Sequence, residues 1–144
     1  MTLDDLMDLA AAAAPRSPNR VRQVGAAIAT ADGGAPIVAC NTFPRGVRDL
    51  PERHEGDGRF VWMEHAERNA IFAAARLGRP LAGARLATTF FPCHDCARAI
   101  VQCGVATVVT PAPAFDDPVW GASFPRSLAM LTEGGVTLVH ARTG

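Results

Sequence analysis

The sequence predicts an α/β protein: three layers, α-β-α, around a mixed sheet of about five strands with the last two parallel. Three observations carry this reading. Helical and strand patterns alternate along the chain in the order α-β-β-α-β-α-β-α-β. An Asp32-Gly33-Gly34 turn joins the first two strands as an antiparallel hairpin. A helical pattern fills every later gap between strands, which permits right-handed crossovers and parallel pairing.

The elements follow in order. Residues 3–14 carry Leu3, Leu6, Met7, Leu9 and Ala10 at helical spacing, and Pro15 and Pro18 end that helix. Residues 22–30 and 36–41 read as the two hairpin strands. Residues 42–61 are polar and rich in Gly and Pro, a long loop of the kind that carries function. A helix is expected over 62–77, stopped by Gly78 and Pro80, and a strand over 84–91. Residues 93–103 read as a helix ending at Gly104, and 105–110 as a continuous apolar strand. A Pro-rich loop over 111–121 precedes a helix at 124–133, a Gly134-Gly135 stop and a last strand at 136–140.

Composition narrows the function classes. The chain has 144 residues, 49% of them hydrophobic, which suits one domain with a real core spanning residues 1–144. Fourteen acidic residues balance fourteen basic ones. That balance argues against a groove for a nucleic-acid polymer, which needs a basic surplus, and leaves room for a small anionic ligand. The first residues are acidic and lack the basic start and apolar stretch of a secretory signal, and no run is long enough to span a membrane. The expectation is a cytoplasmic protein with reduced thiols and no membrane partner.

The chemistry concentrates in a split cluster, His65-Ala66-Glu67 and Pro92-Cys93-His94-Asp95-Cys96. His65, Cys93 and Cys96 are suitable ligands for a tetrahedral zinc with one open position; structural sites usually close with four protein ligands. Cys93 and Cys96 lie three apart at the start of a helix, so both sulfurs share a face. Free amide groups and the helix dipole favour thiolates there. His65 is expected in the first turn of its own helix. Two helices packed side by side on one sheet face would bring these starts together. Glu67 is close enough to relay the proton of a water acidified by the metal, first to a ring nitrogen and then to a departing amine. Taken alone, the Cys93/Cys96 pair also fits a structural zinc half-site or a redox pair. His94 sits between the two cysteines and is expected to point away from their shared face. Cys40 and Cys103 read as small buried hydrophobes, His54 as a solvated loop residue and His140 as a surface residue at a strand end.

Together the two halves form the H-x-E…P-C-x-x-C pattern of zinc nucleobase deaminases. The chain resembles the cytidine and deoxycytidylate deaminase superfamily, and within it the dCMP deaminase-like branch. The resemblance runs through residues 20–110 and rests on Gln23-Val24-Gly25-Ala26, Asn41-Thr42-Phe43-Pro44-Arg45-Gly46-Val47, Glu64-His65-Ala66-Glu67-Arg68-Asn69-Ala70-Ile71 and Thr88-Thr89-Phe90-Phe91-Pro92-Cys93. It implies a cytidine deaminase-like fold in which the last two strands are parallel, as in dCMP, tRNA-adenosine and guanine deaminases. It also implies zinc on His65, Cys93 and Cys96, Glu67 as proton shuttle, backbone contacts from Ala66 to the base edge, and Asn41 on the sugar or base. Thr42 stands where the branch usually has Gly, and the chain has no Tyr for the loop after the fourth strand.

The expected reaction is therefore zinc-dependent hydrolytic deamination of a cytosine-type nucleotide, dCMP to dUMP with release of ammonia. Arg45 is the candidate for a 5′-phosphate, with Arg48, Arg53 and Arg59 in the same loop. Trp120 and Phe91 are candidates to stack on a base. A free base, nucleoside or other amino-heterocycle (cytosine, cytidine, guanine or adenine type) is the alternative substrate. A non-catalytic zinc-stabilised interaction module is the remote alternative, against which Glu67 speaks. The resemblance further implies a homo-oligomer, a dimer or larger.

Overall fold

The computed structural model describes residues 1–141. Five strands form one sheet in the order β2-β1-β3-β4-β5: β1 is Gly25–Ala29, β2 Ile37–Cys40, β3 Arg85–Thr88, β4 Thr107–Thr110 and β5 Thr137–His140. β1 pairs antiparallel with both β2 and β3, whereas β3–β4 and β4–β5 are parallel. The helices are α1 (Leu3–Ala13), α2 (Gly58–Val61), α3 (Ala66–Leu77), α4 (His94–Gln102) and α5 (Phe124–Glu133). The expected three layers and the parallel last pair are both present. The strands are shorter than expected by one to four residues each.

Strand alternation divides the core in two. Ile28, Leu86 and Val108 face one side, where Ala70, Ala74, Ile100, Phe124 and Leu131 of α3, α4 and α5 cover them. Ala27, Ala87 and Val109 face the other side under Leu6 and Ala10 of α1. Small residues on that second face let α1 lie close. At Gly25 a Cβ would sit 1.8 Å from the Ala10 carbonyl oxygen, so only glycine fits there. The start of α1 is fixed by reciprocal bonds: the Thr2 hydroxyl accepts from the Asp5 amide (3.1 Å), and the Asp5 carboxylate accepts from the Thr2 amide (2.9 Å).

The expected helix from residue 62 begins instead at Ala66. Residues 58–61 form the separate short α2, and Glu64 then runs extended beside Thr42, with backbone hydrogen bonds of 3.1 and 2.8 Å in both directions. Apolar Trp62 and Met63 continue the helical pattern in sequence, but this pairing holds the backbone out of the helix. His65 is consequently the N-cap of α3 (φ −73°, ψ 153°), not a member of its first turn. Cys93 likewise caps α4 from outside (φ −69°, ψ 170°). Gly78, at φ +69°, ends α3 where the sequence places the stop. The 42–61 loop contains a 3₁₀ turn at Pro51–Arg53 ahead of α2.

Candidate active site

α3 and α4 lie side by side on one sheet face, with their N-termini at the same end. Two caps and one first-turn residue therefore converge. His65 Nδ1 lies 3.3 Å from Sγ of Cys93 and 3.3 Å from Sγ of Cys96. One ligand atom from each residue falls within 4.8 Å of the other two. A tetrahedral zinc with Zn–S of about 2.3 Å and Zn–N of about 2.0 Å sets an N···S edge of about 3.5 Å. The donor set and its spacing fit Zn²⁺. His94 stays apart: its Nδ1 and its backbone amide both meet the Ser123 hydroxyl, at 2.9 and 2.8 Å, which ties the start of α4 to the start of α5.

The electrostatics of the three residues are linked. Hydrogen bonding by Cys96, then by His65, pulls the Cys93 thiol down to about 4. The hydrogen bond with Cys93 pushes the His65 imidazole up to about 9. Cys96 moves the opposite way, raised well above the usual thiol range by its bond to Cys93 and by burial. A cation taken up there must displace the protons on His65 and Cys96.

Glu67, in the first turn of α3, is 4% exposed. Its Oε1 accepts from the Thr88 hydroxyl at 2.5 Å, and its Oε2 lies 3.3 Å from the Cys96 sulfur. Burial pushes this carboxyl above the ordinary range, against the downward pull of Thr88.

His65, Glu67 and Cys93 form the floor of a cleft. Ala66, Phe91, Met63 and Val24 line its apolar part, and Asn19, Asn41, Arg22 and Arg59 its polar part. Phe60 and Trp120 complete the wall; Trp120 packs edge-on against His65 (5.4 Å) and Phe60 (5.7 Å). The 111–121 loop is held over the cleft by Asp117. Its Oδ1 accepts from the amides of Val119 and Trp120 (2.9 and 2.8 Å), and its Oδ2 pairs with Arg22 at 3.1 Å. The Arg22 guanidinium also lies over the Phe90 ring at 4.1 Å.

Three comparisons bear on this arrangement. Residues 1–112 match the family model described as "Cytidine and deoxycytidylate deaminase zinc-binding region". The chain belongs to this deaminase family. Among curated proteins it is 33% identical over 132 residues to "Probable deoxycytidylate deaminase" of Drosophila melanogaster, covering 83% of this chain and 64% of that one. It is 36% identical over 115 residues to "Uncharacterized deaminase in luxG 3′ region" of Aliivibrio fischeri, covering 79% and 76% of the two chains. This deaminase-family chain thus spans just under two thirds of the Drosophila relative's length. Among solved structures, dCMP deaminase of cyanophage S-TIM5, in complex with dCMP and dUMP, superposes with a TM-score of 0.76 at 22% identity, covering 98% of this chain and 99% of that one. That likeness speaks for the fold.

Within this family member the sequence expectations divide. His65, Cys93, Cys96, Glu67 and Ala66 come together as expected. Asn41 lines the cleft, and its amide is also spent on structure: Oδ1 accepts from the Val24 amide and Nδ2 donates to the Arg22 carbonyl, both at 2.9 Å. Arg45 is exposed and does not line the cleft; Gly46, at φ +79°, turns the loop there. Arg48 is exposed as well, and Arg53 stacks on Trp62 at 4.0 Å. Of that loop's arginines only Arg59 reaches the cleft, joined there by Arg22 from the lead into β1. Phe91 is a buried wall residue, packed edge-on against Phe124 at 5.3 Å. His54 is not solvated: its side chain is 5% exposed, bonded to Asp49 and packed on Phe43. Cys40 and Cys103 are half-buried rather than fully buried, and His140 is exposed at the end of β5 as expected.

Sequence reasoning missed Arg22, Thr88 and Asp117. Arg22 meets Asp117 across 95 positions, a separation that leaves no local signal. Thr88 does carry one: it is the last residue of a strand otherwise apolar toward α3, and a polar residue there needs a partner.

Proposed function

We propose that the protein is a zinc-dependent hydrolytic deaminase of a cytosine-type nucleotide, converting dCMP and water to dUMP and ammonia. The observation that carries this reading is Glu67: a buried carboxylate beside a three-ligand His/Cys/Cys cluster, at the floor of a cleft with two arginines in its wall. A zinc held by His65, Cys93 and Cys96 supplies Lewis acidity that makes a water a competent nucleophile near neutral pH.

The chain's own residues do the rest. Glu67 accepts a proton from the water that attacks C4 of the base. It delivers that proton to ring N3, then takes the proton of the new C4 hydroxyl and passes it to the exocyclic nitrogen as the C4–N bond breaks, leaving a C4 carbonyl and ammonia. Its raised affinity for protons suits both directions of transfer. Ala66 has no side chain beyond Cβ, so the base edge can approach its backbone. Met63, Phe91 and Trp120 exclude water around the ring. Arg22 and Arg59 take the 5′-phosphate, to which guanidinium bonds strongly. The dCMP and dUMP bound by the cyanophage enzyme, and the deoxycytidylate deaminases among the relatives, support a nucleotide here.

A second reading, deamination of an uncharged nucleoside or base, is favoured by one observation: the Asp117 carboxylate already pairs with Arg22. Ammonia release measured across dCMP, deoxycytidine, cytosine, guanine and adenine derivatives separates the two. The highest kcat/KM is expected for dCMP. A preference for deoxycytidine or a free base would establish the second reading.

A further inference from the structure

Thr88 closes β3 on the face covered by α3, and it is 0% exposed. Its hydroxyl has two acceptors in reach, Oε1 of Glu67 at 2.5 Å and the Phe90 carbonyl at 3.2 Å. One hydroxyl proton serves one strong bond, and the shorter contact to the carboxylate takes it.

Glu67 needs that donor. It forms no salt bridge among the described residues. Its two side-chain neighbours are Thr88 on Oε1 and Cys96 on Oε2. A Cys96 thiolate that ligates a metal has no proton left to donate. The Thr88 hydroxyl is then the remaining side-chain donor on a buried carboxylate, a group whose burial without partners is strongly unfavourable. The bond also orients the carboxyl: with Oε1 held toward β3, Oε2 faces the His65/Cys96 side, where a proton must be exchanged.

We propose that Thr88 is a positioning residue for Glu67, holding its carboxyl by a hydrogen bond to Oε1 so that Oε2 stays aimed at the reacting groups. The proposal rests on the deaminase reading for its effect on rate, but not for the contact itself. Thr88→Val keeps the branched shape and removes the donor; Thr88→Ser keeps the donor.

The test measures zinc content, kcat, KM and the infrared band of the Glu67 carboxyl, isolated as the difference between wild type and Glu67→Gln. Thr88→Val is expected to keep its zinc and its KM, to lose about tenfold to a hundredfold in kcat, and to shift the Glu67 band. Thr88→Ser is expected to restore most of kcat and the wild-type band. If Thr88→Val does not fold, Thr88→Ala against Thr88→Ser makes the same comparison. Wild-type kcat with an unmoved band in the donorless variant, or Thr88→Ser as slow as Thr88→Val, would overturn the proposal. A wild-type protein that releases no ammonia, but whose band still shifts in Thr88→Val, supports the contact and defeats the deaminase reading instead.

Discussion

At Glu67 burial and hydrogen bonding act in opposite directions. Removal from water raises the carboxyl's proton affinity and the Thr88 bond lowers it, leaving the group above the ordinary range. That balance is useful to a residue that takes a proton and gives it back within one turnover. The arginines make a second case at this scale, because neither Arg22 nor Arg59 is free. Arg22 is shared between Asp117 and the Phe90 ring, and Arg59 lies over the Phe60 ring at 4.3 Å. A phosphate arriving in the cleft competes with Asp117 for the same guanidinium. Arg22→Ala is accordingly expected to raise KM for dCMP by about tenfold or more while leaving deoxycytidine nearly unchanged. Arg45→Ala should change neither, since that side chain lies outside the cleft. Steady-state kinetics on the two substrates checks both; equal effects of Arg22→Ala on dCMP and deoxycytidine would remove the phosphate contact.

At the scale of elements, the site depends on how α3 and α4 begin. Both start one residue after a ligand held in extended conformation, so His65 and Cys93 reach past the helix ends toward each other. The sheet sets the distance between those starts, and α1 braces the sheet from behind. Gly25→Ala tests the brace: its Cβ would meet the Ala10 carbonyl at 1.8 Å, so either α1 or β1 must move. The expected loss is about 1–3 kcal/mol in denaturant unfolding, with wild-type stability as the contrary result. Much of this level is legible in sequence. The bounds of α5 match the expectation residue for residue, because Gly134-Gly135 and the apolar spacing agree there. The start of α3 is not legible, because the Thr42–Glu64 pairing that sets it is a long-range backbone contact that leaves no trace in the local pattern. The same reason separates the floor of the cleft from its walls. The ligands and Glu67 are encoded in two short motifs, whereas Arg22, Arg59 and Trp120 are brought together by loops that cross the fold.

Across the whole molecule, the ligand cluster sits at one end of a core that is built without it. Ile28, Leu86, Ile100 and Val108 pack on one side of the sheet and Leu6, Ala27 and Val109 on the other. Chelation is therefore expected to leave the far-ultraviolet circular dichroism intact at 25 °C and to lower Tm by about 5–10 °C, the effect of losing a ligand present at about a hundred times its Kd. Unfolding on chelation at that temperature would instead make the metal part of the scaffold. No helix among the described residues is long and apolar enough to cross a membrane. The chain's zero formal charge leaves the local arginines, not a global field, to attract a nucleotide.

The cleft, the ligand cluster and the proton donor from β3 meet at one carboxylate, Glu67. The most direct measurement is turnover of dCMP to dUMP by zinc-loaded wild-type protein beside Glu67→Gln at matched zinc content. The wild type is expected to release ammonia, and the variant to fold, hold zinc and turn over at least about a hundredfold more slowly. Equal rates in the two proteins would contradict the role assigned to Glu67, and a zinc-loaded wild type that leaves dCMP and every other amino-heterocycle unchanged would contradict deamination itself.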